Sequence, residues 1–318
     1  MGLMTEGNTA LLVTKAQQAL DDLQRKGRGL SHAEVLNRTR LEKSLSNIPV
    51  FLVAVDNTGS FADDLIQAQN VVQRLMTVLP PTHIKFASFG DLAANDQFAW
   101  IQNHVDLNAK GNGGGNRHEN SLEAVTHMMS AFALGMLGLP GYSYAPRNNT
   151  SLPEKHGPVT LMLLTDEYPH AAGVTRNALI ELMHSYQGGE MDSQKIDPVV
   201  ANFNMGNIGN TDISTFVKDM KIANIPLHVY APKIEDATYT GLEFGQPCPE
   251  LSPLTHLGTF WEIVAKATKG KYTPLNQMGT HTFASQGLRM ITDDVISSVL
   301  PVIHDVQKAL PPPSAQPM

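Results

Sequence analysis

IPVFLVAVDNTGS, residues 48–60, joins an uninterrupted apolar run of strand length to a polar turn that contains Gly59. A continuous apolar run of this kind predicts a parallel strand that is covered on both faces of its sheet. Comparable runs follow at THIKFASF (82–89), VTLMLLT (159–165), PVVANFNM (198–205) and IPLHVYA (225–231). We therefore expect a sheet that consists mainly of parallel strands.

Amphipathic segments separate these apolar runs, and they predict the helices that connect the strands. They cover 61–79, 120–137, 175–186, 212–223 and 256–269. The alternation predicts the α/β class, a Rossmann-like doubly wound sheet with right-handed crossovers. One pair breaks the alternation, because QFAWIQNHV (97–105) follows the second strand after a short polar turn. That pair predicts a hairpin, which adds one antiparallel edge strand to the mostly parallel sheet.

Four regions describe the predicted organisation of the chain. Residues 1–46 predict a helical N-terminal extension that breaks near Gly27–Gly29 and restarts at Ser31, which has capping-box spacing to Glu34. The central α/β domain is expected at 47–276, with loop inserts at about 138–157 and 232–257 and a last short strand at KYTPL (271–275). A C-terminal helical extension at 277–310 and a disordered tail at 311–318 complete the prediction.

Composition narrows the range of functions. The 318 residues carry a net charge of −7, from 23 Lys+Arg and 30 Asp+Glu, and nucleic-acid binding needs a positive surface instead. Cys248 is the single cysteine, which excludes an internal disulfide and a Cys-rich zinc module and fits a reducing, cytoplasmic setting. We expect no signal peptide, and the uncharged stretch 124–146 predicts a buried helix and not a membrane span.

Oxygen-bearing side chains follow the predicted strands at the point where ligands bind in open α/β sheets. Asp56, Thr58 and Ser60 alternate along the first turn, Asp166 ends the VTLMLLT strand, and Asn116 closes the glycine-rich stretch GNGGGN. These hard oxygen ligands suit Mg²⁺, with Mn²⁺ or Ca²⁺ as alternatives. Taken alone, the first turn is equally typical of a helix N-cap, so the metal-site interpretation depends on all three segments together.

In these residues the chain resembles the von Willebrand factor type A domain with its metal-ion-dependent adhesion site. The family motif DxTGS matches DNTGS at Asp56, Thr58 and Ser60, GGGNRHENSLEAV (113–125) is similar to the GGGD motif of one subgroup, and LLTD ends at Asp166. The resemblance covers about 48–275 and departs from the subgroup at Asn116, where Asp is usual. It implies a metal bound by Asp56, Thr58, Ser60, Asn116 and Asp166.

The resemblance also implies a function. A cation held by few carboxylates keeps an open position, which captures an Asp or Glu side chain of a partner protein. Relatives inside cells commonly work in multiprotein assemblies or with AAA+ ATPases, so the resemblance implies a non-enzymatic binding module. The predicted rim of the site consists of Asn57, His118, Glu167 and His170, and Glu167 is equally able to add a third carboxylate.

Two alternatives stay open at this point. A haloacid-dehalogenase-type phosphohydrolase also places an Asp after its first strand beside Mg²⁺, but it needs a second Asp two positions later, where this chain has Thr58. The other alternative is a degenerate domain that binds no metal and acts as a structural subunit, with Asn116 as the first sign of that loss.

Overall fold

The computed structural model describes residues 9–57, 65–90, 98–102, 118–134, 136–137, 158–185, 193–204, 211–233, 256–275 and 280–310. The strands in these ranges are β1 (Val50–Asp56), β2 (Ile84–Phe89), β3 (Ala99–Ile101), β4 (His118–Glu119), β5 (Val159–Leu164), β6 (Tyr168–Pro169), β7 (Leu227–Pro232) and β8 (Tyr272–Leu275). Six of them form one sheet in the order β3-β2-β1-β5-β7-β8, and β4 pairs with β6 in a separate two-stranded ladder.

Helices cover both faces of this sheet. They are α1 (Thr9–Lys26), α2 (His32–Ser46), α3 (Leu65–Val78), α4 (Ser121–Ala133), α5 (Arg176–His184), α6 (Ile196–Asn204), α7 (Ile213–Ala223), α8 (Leu257–Ala267) and α9 (Thr280–Ala309). Alternate side chains of β1 point to opposite faces, so Leu52 packs with α4 and α8 in one apolar cluster. Val53 packs with α1, α3 and α9 in the other.

The predicted fold class is confirmed. β1 pairs in parallel with β2 and β5, β5 pairs in parallel with β7, and β7 pairs in parallel with β8. β3 runs antiparallel to β2 at the edge, as the hairpin pattern predicted. Every residue of β1 is buried, which is the reason that the strand is apolar from Val50 to Val55.

The two N-terminal helices also agree with the sequence. α1 ends in a short turn at Gly27–Gly29, and α2 begins after a capping box in which the Ser31 hydroxyl oxygen accepts the Glu34 N–H. The Glu34 carboxylate accepts the Ser31 N–H at 2.8 Å in return. Both helices pack with α9 on the same face of the sheet, through buried residues such as Val13, Leu41 and Val299.

One predicted strand is wrong. PVVANFNM (198–205) was expected as a strand, but residues Ile196–Asn204 form helix α6. The buried apolar side chains of α6 are Ile196, Val199 and Phe203, whose spacing of three and four residues is helical. This helical period begins at Ile196, before the apolar run 198–205 starts. Because α6 adds no strand to the sheet, β5 pairs directly with β7.

Several predictions concern residues outside the described ranges. The loop inserts at 138–157 and 232–257 lie there almost entirely, as does the tail at 311–318, and the domain boundaries stay predictions. The uncharged stretch 124–146 contributes helix α4, which buries Val125, Met128 and Phe132 against the sheet. Among the described helices, none has both the length and the apolar character needed to cross a bilayer.

Gly270 gives a test of how β8 approaches β7. A Cβ atom at this position would lie 1.9 Å from the Leu227 carbonyl oxygen, which is a backbone atom and cannot move aside locally. We expect Gly270→Ala to lower the free energy of unfolding by about 1–3 kcal/mol or more, measured by urea unfolding. Gly29→Ala is the matched control, because nothing lies within 4 Å of its added Cβ. Equal stability of the two variants would contradict this packing.

Candidate metal site

Three carboxylates meet beyond the carboxyl ends of β1 and β5. One ligand oxygen from each of Asp56, Glu119 and Asp166 lies within 4.8 Å of the others. Asp56 and Glu119 are each only 3% exposed, and Asp166 is half-buried. The cluster therefore concentrates negative charge in a position that is largely shielded from water.

The register of the central strands brings two of these residues together. Val55 of β1 lies opposite Leu164 of β5. The next residue of each segment, Asp56 in one and Thr165 in the other, therefore lies beside its counterpart. Asp166 is the next residue and begins the turn after β5. Because parallel strands end at the same edge of a sheet, Asp56 and Asp166 lie close together, although they belong to different segments of the chain.

Glu119 lies in a different segment of the chain, strand β4. Its strand β4 pairs in parallel with β6, with Glu119 opposite Pro169, and the His170 N–H donates to the Glu119 carbonyl at 2.8 Å. The Asn120 N–H donates to the carbonyl of Gly90, which follows β2. These backbone bonds fix the segment before α4 against the ends of two other segments, and they direct the Glu119 carboxylate to the two aspartates.

The Thr165 hydroxyl lies between two of the carboxylates. Its Oγ1 is 3.2 Å from Asp56 Oδ2 and 3.4 Å from Glu119 Oε2. A hydroxyl has one proton, so it donates to one of these oxygens at a time. The Thr165 oxygen also accepts the Glu167 N–H at 3.3 Å, which shapes the turn that carries Asp166.

Electrostatics at the cluster favour a cation or a proton. Burial raises the pKa of Glu119 well above its ordinary value, and the charge of Asp56, a hydrogen bond with Asp56 and the charges of Asp166 and Glu167 raise it further. Within the described part of the chain, no basic side chain forms a salt bridge with Glu119. Three clustered carboxylates are hard oxygen donors, so the residues present fit a divalent cation such as Mg²⁺.

The structure brings the carboxylates of Asp56 and Asp166 together, and their role as metal ligands stays a prediction. Thr58, Ser60 and Asn116, the other predicted ligands, lie outside the described residues. Of the predicted rim, Asn57 and Glu167 are half-buried next to Asp56 and Asp166, and the Asn57 N–H donates to Phe89 O at 2.8 Å.

His118 and His170 were predicted at the rim, and both side chains are buried, with 2% and 4% exposure. The His118 ring stacks on Tyr168, with 5.8 Å between ring centroids, and lies 6.1 Å from His170. It also meets Phe203 of α6 edge-on at 5.5 Å. Both rings therefore pack within the protein, and a contact of either histidine with a partner stays a prediction.

Glu119 is the residue that the sequence interpretation missed. One signal for it was present, because it is the first acidic residue after the glycine-rich stretch and lies two positions before α4. The burial of this carboxylate depends on a ladder of only two residues between β4 and β6. A two-residue strand has no recognisable alternation, so the pairing of β4 with β6 could not be predicted from the apolar pattern.

No protein-family model and no curated protein matches this chain. Solved structures similar to it include the pilus adhesin SpaC from Lactobacillus rhamnosus GG, at 12% identity and a TM-score of 0.40, covering 79% of this chain and 31% of that one. Proximal thread matrix protein 1 from the mussel byssus has 9% identity and a TM-score of 0.33, covering 80% and 48%. This chain thus spans less than half the length of either.

A third similar structure is the vWF domain of the type V pili tip protein Mfa5 from Porphyromonas gingivalis. Its identity is 9% and its TM-score 0.39, with coverage of 80% of this chain and 97% of that one. All three TM-scores are below 0.5. The fold assignment therefore rests on the strand order of this chain and not on these structures.

The raised pKa of Glu119 predicts a pH effect in chelator-treated protein. Above the ordinary glutamate pKa of about 4.3, the unfolded chain has released this proton while the folded chain retains it. The stability contribution of Glu119 therefore falls as the pH rises from there to the raised pKa, by up to about 1.4 kcal/mol per pH unit. We expect Glu119→Gln to gain stability over wild type across this window in urea unfolding.

Glu262→Gln is the matched control, because this glutamate lies on α8 in a part-exposed pair with Lys266. Its difference from wild type should not grow with pH over the same window. If the stabilities of Glu119→Gln and Glu262→Gln change with pH in the same way relative to wild type, the Glu119 carboxyl is not a buried group without an opposite charge nearby.

Proposed function

We propose that this chain is a metal-dependent protein-binding module, which captures an acidic side chain of a partner through a Mg²⁺-type adhesion site. The observation that carries the proposal is the convergence of Asp56, Glu119 and Asp166 from three separate segments, with their ligand oxygens within 4.8 Å. Like charges in such a position repel one another, and a bound cation removes that cost.

The sequence supplies the remaining predicted ligands. Thr58, Ser60 and Asn116 would add two hydroxyl oxygens and an amide oxygen, and the DNTGS and LLTD motifs resemble the metal-ion-dependent adhesion site of von Willebrand factor type A domains. When bound, the cation supplies positive charge and an open coordination position for a carboxylate of the partner. Mn²⁺ and Ca²⁺ are alternatives to Mg²⁺, because oxygen ligands suit all three.

The setting of the module is part of the same proposal. A partner that presents Asp or Glu, within a multiprotein assembly or beside an AAA+ ATPase, follows from the resemblance alone. A cytoplasmic location is supported by the single cysteine, Cys248, which fits a reducing compartment. The acidic net charge of −7 supports a protein partner over a nucleic acid.

Isothermal titration of Mg²⁺, Mn²⁺ and Ca²⁺ into metal-stripped protein tests the metal half of the proposal. We expect saturable binding, and we expect Asp56→Asn to weaken it by at least about tenfold, or 1.4 kcal/mol, because it removes a buried ligand charge. Asp293→Asn is the control, since it removes the same charge from an exposed position on α9.

Absence of binding in the wild type would contradict the proposal and favour the metal-free structural subunit. Hydrolysis of a phosphate ester that requires Asp56 would favour the haloacid-dehalogenase-type phosphohydrolase instead.

The partner half is tested with peptide arrays that differ at one fixed central position, Glu in one array and Gln in the other. We expect binding in Mg²⁺ to be stronger on the Glu array, because a neutral amide cannot neutralise the cation. Chelation or Asp166→Asn should remove the difference. Equal binding to both arrays in Mg²⁺ would contradict capture of an acidic side chain.

A further inference from the structure

The turn that carries Asp166 is held at the residue that follows it. The Glu167 N–H donates to Thr165 Oγ1 at 3.3 Å, which closes the turn on the side of the carboxylate cluster. The Glu167 carbonyl oxygen accepts a hydrogen bond from the indole Nε1 of Trp261, at 3.1 Å. The two peptide groups that flank Glu167 are therefore each hydrogen-bonded, one to the Thr165 side chain and the other to Trp261 of helix α8.

Trp261 is suited to hold this position. The side chain is fully buried, so its indole N–H needs a partner inside the protein, and the Glu167 carbonyl is that partner. The ring packs edge-on against Phe260 at 5.0 Å, and Phe260 in turn packs edge-on against Tyr168 at 5.7 Å. Residues 167 and 168 thus contact two neighbouring aromatic residues of the same helix.

We propose that Trp261 is a positioning residue for the carboxylate cluster, which sets the turn after β5 so that Asp166 faces Asp56 and Glu119. The inference rests on the proposed metal-binding function. Trp261 is not a ligand, since indole has no oxygen and its nitrogen is a donor only. It acts through the backbone of Glu167, and residues that orient metal ligands in this way strongly influence affinity.

A substitution that separates the hydrogen bond from the packing tests this role. Trp261→Phe keeps an aromatic ring but has no donor for the Glu167 carbonyl. We expect Mg²⁺ affinity to fall by about tenfold in isothermal titration of the full chain. Val264→Ala is the matched control, because Val264 is fully buried on the same helix and is not bonded to the turn. It should lower the Tm and leave the Mg²⁺ affinity within about twofold of wild type.

A second measurement needs no change at Trp261 itself. The chain has two tryptophans, Trp100 and Trp261, and Trp100 lies on the edge strand β3. In a Trp100→Phe variant, the emission of Trp261 alone can be followed. We expect saturable addition of Mg²⁺ to shift this emission with the same Kd that calorimetry gives, because the cation acts on the turn to which the indole is bonded.

The outcomes distinguish the inference from the function on which it rests. If the wild type binds Mg²⁺ but Trp261→Phe binds equally well and the Trp261 emission does not change, the positioning role is wrong and the metal site stands. If the wild type binds no metal, both fail. If Trp261→Phe does not fold, the emission titration decides, and a silent Trp261 overturns the inference.

Discussion

The repulsion among three carboxylates is the constraint on which the site depends. Asp56, Glu119 and Asp166 place their ligand oxygens within 4.8 Å of one another, and two of the three are almost fully buried. Such an arrangement costs free energy unless positive charge or protons offset it. The sheet register, the β4–β6 ladder and the Thr165 hydroxyl together hold the three groups in place.

The fold explains how these residues reach one point from distant parts of the chain. β1 and β5 are buried central strands with a fixed register, so Asp56 and the turn after β5 have little freedom to separate. β4 and β6 hold the segment before α4 in place, and α8 contacts the turn after β5 through Trp261. Apolar packing on both sheet faces therefore stabilises an arrangement that electrostatics alone would oppose.

Much of this architecture could be predicted from sequence, because its physical causes are local. The apolar run of β1 and its polar end at Asp56 indicated a covered parallel strand with a ligand site beyond it, and the capping box at Ser31 indicated where α2 begins. Helix α6 was missed because its apolar run has strand length and its helical period starts earlier, at Ile196. Glu119 was missed because its position depends on the two-residue pairing of β4 with β6. In that pairing, His118 lies opposite Tyr168, which is 50 positions later in the chain.

Diffraction from crystals soaked in Mn²⁺, with anomalous data collected at the manganese edge, shows whether these three carboxylates hold a cation. We expect one anomalous peak within about 2.5 Å of carboxylate oxygens of Asp56, Glu119 or Asp166, with the three side chains around it. A structure with Mn²⁺ bound elsewhere, or with these carboxylates still metal-free at saturating Mn²⁺, would contradict a cation site at Asp56, Glu119 and Asp166.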